Sequence, residues 1–295
     1  MTRRVTQRQF WLKPTRRGKN KGKQKKQRRI EHAIRYCIAR AAKLSGVKVH
    51  IVVFLSNHYH LIVTDPLGLI PYFAEILNKN LARCVNALYG RWENLWAGGA
   101  APSYVRLETA EAVLEESVYA LTNPVKDGLV ASRKEWPGEL LEQPGTYKAE
   151  KPSWFFRSEE EGGKLPDVEY LELTPAPVAG TADESIKLVK DAADRHEAEL
   201  RAQLRKNGRK FMGVEAILRQ RPSDNPNTVE HRRRLSPTLA CKDKWRRIEA
   251  LQIQKDFKDR HRQCMRRWMA GERDVVFPFG TYKMRVIHRA RVAEA

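Results

Sequence analysis

The residues of this 295-residue chain best suited to chemistry fall into two short groups. His58 and His60 are two apart in an apolar, β-branched run that predicts a strand, so both side chains leave the same face. Two imidazoles side by side on one sheet face make half of a metal site. Tyr119 and Asn123 are four apart in a run with helical spacing and share a helix face. Asn123 stands just before Pro124, where its carboxamide oxygen is free to act as a third ligand, and Tyr119 would place a phenol oxygen beside the metal. Each residue alone also has a plainer reading: half-buried strand histidines, a tyrosine in an amphipathic helix core, an asparagine at a helix stop.

Those groups need elements to hold them. Val5 to Leu12 reads as a short strand with Phe10 and Leu12 on one face. Ile30, Ala33, Ile34, Cys37, Ile38, Ala41 and Ala42 recur at helical spacing, closed by Ser45 and Gly46. Val47 to Leu55 is a buried central strand, Ser56-Asn57 a turn, and Tyr59 to Thr64 the returning strand of a hairpin. Asp65-Pro66 opens a long amphipathic helix with an apolar stripe from Leu69 to Leu88. Tyr104 to Leu107 reads as a short last core strand. Thr109 N-caps a helix running to about Thr122 and ended by Pro124. The order β-α-ββ-α-β-α describes an antiparallel sheet with helices packed on it, an α+β plan. Residues 138–184, rich in Pro, Gly and acid, read as a connector with a short strand at Tyr170 to Leu173. Residues 185–206 and 238–270 read as helical, and Phe277 to Tyr282 as a segment that docks the tail onto the body. A boundary near residue 150 is expected, giving regions 1–150 and 151–295.

The chain carries 56 Lys+Arg against 35 Asp+Glu, a net charge of +21, and its apolar share of 41% is enough to build a core. The charge is bipolar: +15 over residues 1–45, −3 over 46–150, −5 over 151–204 and +14 over 205–295. Two basic clusters flanking a folded middle point to nucleic-acid phosphates. The first is Arg16, Arg17, Lys19, Lys21, Lys23, Lys25, Lys26, Arg28 and Arg29, which has no apolar residue to pack and should be a mobile arm. The second is Arg232, Arg233, Arg234, Arg246 and Arg247 with Trp245 and Trp268 nearby; a solvated helical face fits it as well. The basic N-terminus lacks the apolar centre of a secretory signal. The longest apolar stretch is far short of the roughly 20 residues of a bilayer span. Four cysteines without a CxxC pair form neither a zinc framework nor a disulfide scaffold, so a reducing cytoplasm is expected.

The run Asn57-His58-Tyr59-His60-Leu61-Ile62-Val63 resembles the HUH motif (His, bulky apolar, His). The run Tyr119-Ala120-Leu121-Thr122-Asn123-Pro124-Val125-Lys126-Asp127-Gly128-Leu129-Val130 is similar to the tyrosine-helix signature of single-tyrosine HUH transposases. The resemblance is to the REP-associated tyrosine transposase group. Arg91 to Trp96 is similar to the aromatic segment those proteins carry before their last core strand. The likeness covers roughly residues 3–145, about half the chain. It implies a ferredoxin-like HUH palm, followed here by a mainly helical basic C-terminal region. It also implies that His58, His60 and Asn123 ligate Mg²⁺ or Mn²⁺ and that Tyr119 is the nucleophile, with Asn123 matching the family's asparagine variant.

The implied mechanism follows from those groups. A free phenol, with a pKa of about 10, is ionised in only about one molecule in a thousand at neutral pH. A metal beside it would polarise the phosphodiester and position it for in-line attack. Tyr119 would then displace the 3′ oxygen, leaving a 5′-phosphotyrosine and a free 3′-hydroxyl. The ester conserves the bond's free energy, and the lack of a Walker-type lysine loop agrees with an ATP-free reaction. The expected substrate is single-stranded DNA beside a hairpin, met by a monomer or homodimer in a bacterial-type cytoplasm, associated with the nucleoid. Trp92, Trp96 and Tyr104 would either stack unpaired bases or pack as core. One rival is a non-catalytic nucleic-acid-binding regulator derived from such a transposase. A second is an RNA-binding ferredoxin-like sheet, which needs exposed aromatics on the face that here carries His58 and His60.

Overall fold

The computed structural model describes residues 1–15, 30–98, 102–155, 165–229 and 237–294. The arm at 16–29 and Arg232 to Arg234 therefore lie outside the described residues. Chain order runs β1 (Thr2–Arg4), α1 (Ile30–Ser45), β2 (Lys48–Phe54), β3 (His58–Thr64), α2 (Ile70–Tyr89), β4 (Arg106–Leu107) and α3 (Ala110–Lys126). It continues with β5 (Leu140–Leu141), β6 (Gly145–Glu150), β7 (Val168–Leu173), α4 (Ala182–Lys206) and α5 (Val214–Arg219). The last elements are β8 (Leu239–Ala240), α6 (Lys244–Met269) and α7 (Tyr282–Val286).

The main sheet has the order β1-β3-β2-β7-β6, with β5 also paired to β2. Its central strand β2 is buried from Val49 to Phe54, which is why its residues are almost uniformly apolar. Helices α1 and α2 cover one face, where Ile34, Ile38, Phe73, Leu77 and Leu81 meet Val49, Val52 and Tyr59 in one core. The other face, carrying Ile51, Val53 and Ile62, packs on Val113, Ala120 and Leu121 of α3 and on Val189 and Ala193 of α4. Local chemistry starts the helices. The Asp65 carboxylate accepts from the Leu69 and Ile70 amides at 2.8 and 2.7 Å, and Thr109 accepts from the Ala112 amide at 3.1 Å. A fully made capping box between Thr181 and Glu184 opens α4.

The α+β plan holds, with differences. The β2–β7 pairing is parallel, so the sheet is mixed rather than antiparallel. The first strand is Thr2–Arg4 rather than Val5 to Leu12: Gln7 and Arg8 take φ values of 50° and 59°, which no strand tolerates, although Phe10 and Leu12 are buried as expected. Strand β4 is only two residues long and pairs with β8, outside the main sheet; the sheet edge is extended instead by Ser103, which exchanges two 2.9 Å backbone bonds with Thr2. Pro124 lies inside α3, which runs on to Lys126.

Residues 138–184 do more than connect. The hairpin β6–β7 falls there and joins the central sheet, so the boundary expected near residue 150 lies within that hairpin. At the C-terminal end, Phe277 is fully buried against Trp268 and His261. The tail touches the body where Gly68 and Gly280 meet: a Cβ on Gly68 would stand 2.5 Å from the Gly280 Cα. Among the described residues no helix is long and apolar enough to cross a membrane.

Candidate active site

Strand period places His58 and His60 on the face turned towards α3, and Tyr59 between them on the opposite face. Tyr59 is fully buried, stacks on Phe54 with ring centroids 4.8 Å apart, and donates its hydroxyl to Asn78 Oδ1 at 2.9 Å. This bulky residue locks the strand, and with it the direction of both imidazoles. The two rings stand edge to face, 5.0 Å apart. Across the strand pair, Thr2 lies opposite His60 and Arg4 opposite His58, so Arg4 shares their face.

Helix α3 brings the second group to the first. Asn123 is buried and its Nδ2 donates to His60 Nε2 at 3.1 Å. One turn earlier, the Tyr119 ring meets the His60 ring edge-on at 5.6 Å, and Tyr119 remains 39% exposed, within reach of a ligand from solvent. Fifty-nine residues of sequence separate His60 from Tyr119, and the fold closes that gap to one ring contact.

The imidazoles are prepared to act as neutral donors. His58 Nδ1 donates to Asn57 Oδ1 at 2.7 Å, which leaves the Nε2 lone pair free. Burial, then the charges of Arg4, Lys126 and Arg8, bring the His58 pKa down to about 4. His60 is held well below its ordinary range by burial, by His58, by the N-terminal ammonium and by Lys126 and Arg4. That ammonium is itself tied to the site strand, donating to Leu61 O at 2.8 Å, and burial lowers its pKa to about 6.

Sequence reasoning missed Lys126. It is seven residues beyond Tyr119, two turns along the same helix face, and its Nζ lies 4.2 Å from the Tyr119 ring centroid. The spacing i, i+7 was the available signal. Arg4 and Arg8 were also missed as site residues: Arg4 is placed by the pairing of β1 with β3, and Arg8 by the turn after β1, where its carbonyl accepts from Asn57 Nδ2 at 3.1 Å. The site is therefore rimmed by cations, although the segment 46–150 that supplies its donors is slightly acidic.

The other expected positions divide. Trp96 is core: it is buried, its Nε1 donates to Asn78 O at 2.9 Å, and it cannot stack a base. Tyr104 is partly buried, whereas Trp92 is 88% exposed. Arg246 and Arg247 are exposed in the first turns of α6 beside Trp245, which is 75% exposed. Cys37 and Cys84, far apart in sequence, bring their sulfurs to 3.9 Å as buried free thiols.

Among the described residues no three His, Cys, Asp or Glu side chains cluster as a metal site. Two imidazoles, His58 with its Nε2 lone pair free and His60 with its Nε2 accepting from Asn123, and that one carboxamide remain as the donor set. Such a set leaves most positions around a divalent ion open, as catalysis on a phosphate requires, and is unlike a closed structural zinc site. Two nitrogen donors suit Mn²⁺ better than Mg²⁺, which prefers oxygen throughout. Set against known proteins, the chain matches no family model, no curated protein and no solved structure.

Proposed function

We propose that this chain is a metal-dependent HUH-type nickase and transposase that cleaves and rejoins single-stranded DNA beside hairpins through Tyr119. The observation that carries the reading is the convergence of His58, His60, Asn123 and Tyr119 between β3 and α3, with His60 touching both α3 residues and Tyr119 open to solvent. His58 Nε2, His60 Nε2 and Asn123 Oδ1 would hold the divalent ion, which supplies charge stabilisation of the phosphate oxygens.

The chain's own groups do the rest. The Tyr119 hydroxyl oxygen attacks phosphorus and loses its proton to water; the bond to the 3′ oxygen breaks and that oxygen takes up a proton. A 5′-phosphotyrosine and a 3′-hydroxyl result, and attack by a 3′-hydroxyl reverses the step. Lys126, beside the ring, favours the phenolate as it forms and the phosphate that it approaches. Arg4 and Arg8 draw the DNA backbone to the sheet edge, while burial first, and these charges second, keep His58 unprotonated.

The test is a covalent-adduct assay. A labelled hairpin-bearing single strand is incubated with the protein and Mn²⁺ or Mg²⁺ and resolved on a denaturing gel. An adduct is expected with the native chain and none with Tyr119→Phe. An adduct that survives that change, or none with any hairpin strand flanking its own coding sequence, overturns the proposal. DNA binding without any adduct would identify a non-catalytic regulator instead.

A further inference from the structure

Outside the site described above, a cavity of about 550 Å³ lies between α6 and the small β4–β8 sheet. Phe257 and Phe279 supply aromatic walls, Leu239 and Ala250 an apolar floor, and Arg106 and Arg260 stand at the rim. We infer that this cavity binds one unpaired nucleobase of the DNA strand, stacked on the phenylalanines, with its flanking phosphates on the two arginines. This rests on the single-strand reading above and names where that strand goes.

The lining fits that occupant. A base presents two flat π faces and an anionic backbone, and aromatic walls with cations at the mouth answer both. Arg106 also meets Glu108, and Asp256 shares the rim, so the site does not gather phosphate indiscriminately. The aromatic contact must add to the charge for binding to result. Thr238 and Gln254 give the wall polar atoms that can meet a base edge.

The position fits too. Lys242, which joins β8 to α6, bonds Glu111 at 3.3 Å and also bonds Glu115. Glu115 lies one turn before Tyr119 on the same face of α3. Arg106 lies in β4, just before α3, and the helix start at Ala110 is nine residues from Tyr119, which the helical rise converts to roughly 14 Å along α3. A strand with its scissile phosphate at Tyr119 reaches the cavity within a few nucleotides.

The test uses the full chain carrying Tyr119→Phe, so that no turnover intervenes. A hairpin with a single-stranded tail carries 5-iodouracil at one tail position at a time. After irradiation, the crosslinked peptides are mapped by mass spectrometry. Crosslinks to Phe257 or Phe279 from a narrow window of tail positions are expected. Phe279→Ala should remove them and weaken binding by about tenfold, in line with stacking on one aromatic. Ile253→Glu, an exposed change on the cavity wall, should do the same without touching the fold. Crosslinks confined to other aromatics, such as Trp92 or Trp245, or affinity unchanged in both variants, overturn the inference. Because the readout needs no cleavage, a failure of the nickase reading shows separately, as a missing adduct in the chain with Tyr119 intact.

Discussion

Replacing Arg133 by Met tests how the site's supporting wall is held. Arg133 follows α3 by seven residues, and its side chain is almost fully buried. Its guanidinium bonds Glu142 at 2.7 Å and Asp194 at 2.7 Å, and lies 3.2 Å from Glu197. Burial opposes its charge, and the bonds it donates to Glu142 and Asp194 more than offset that, raising its pKa. Asp194 and Glu197 belong to α4, which packs against Ala120 and Leu121 of α3, the helix of Tyr119 and Asn123. Methionine fills most of the volume but strands the carboxylates. Asp194 is 45% exposed and can turn to water; Glu197 at 4% cannot, and keeps only the Arg133 amide at 2.9 Å and weaker contacts from Arg201 and Ser132. Breaking a buried pair in this way costs about 3 kcal/mol. At roughly 2–4 °C per kcal/mol for a chain of this size, the melting temperature should fall by about 10 °C. Urea unfolding followed by fluorescence and circular dichroism measures it, and Arg133→Lys should recover only part, since ammonium lacks the forked geometry. A loss below about 1 kcal/mol, or complete rescue by lysine, would refute the buried-charge account.

Three further outcomes are expected. Lys126→Gln should slow adduct formation several-fold and, in the Tyr119→Phe background, reduce the salt dependence of single-strand binding by about 0.7 in log–log slope, one phosphate contact; Lys126→Arg should retain both, and an unchanged slope removes Lys126 from the phosphate. His58 should titrate near 4 in the metal-free protein, against 6.5 for an unperturbed imidazole. The unfolded chain then binds the extra proton first, so stability falls as pH drops from 6.5 towards 4 and is fully present above 6.5; an imidazole NMR midpoint above 6 contradicts this. Gly68→Ala combines a φ of +67° with a Cβ 2.5 Å from the Gly280 Cα, so the C-terminal segment should undock and be cleaved faster in limited proteolysis, while the central sheet stays protected.

Where the structure departs from sequence expectation, the cause is long-range. The strand β7 has the alternation Glu169, Leu171, Leu173 facing inward, and an inward glutamate spoils the apolar pattern that announces a strand. Glu169 is tolerated there because Arg40 and Lys43 of α1 reach it at 2.9 and 3.1 Å. Those partners are 126 to 129 residues away, invisible to any local window. Trp96 offers the same lesson: an exposed stacking platform and a core tryptophan have the same local sequence, and only the carbonyl of Asn78 above its indole nitrogen distinguishes them. The three residues of β1 carry too little pattern to announce a strand beside the apolar Phe10 and Leu12, which draw the expected strand towards themselves.

By itself the sequence determined the two halves of the site. The period of a strand puts His58 and His60 on one face, and the period of a helix puts Tyr119, Asn123 and Lys126 on another; both follow from backbone geometry and need no partner. Only the tertiary structure decided that those faces meet. Burial of Ile51, Val53 and Ile62 against Ala120 and Leu121 sets α3 across the sheet, and that packing brings Asn123 to His60. The pairing of β1 with β3 then adds Arg4 opposite His58, so a site built from a mildly acidic segment, with Lys126 as its own cation, gains further positive charge from the basic N-terminal one.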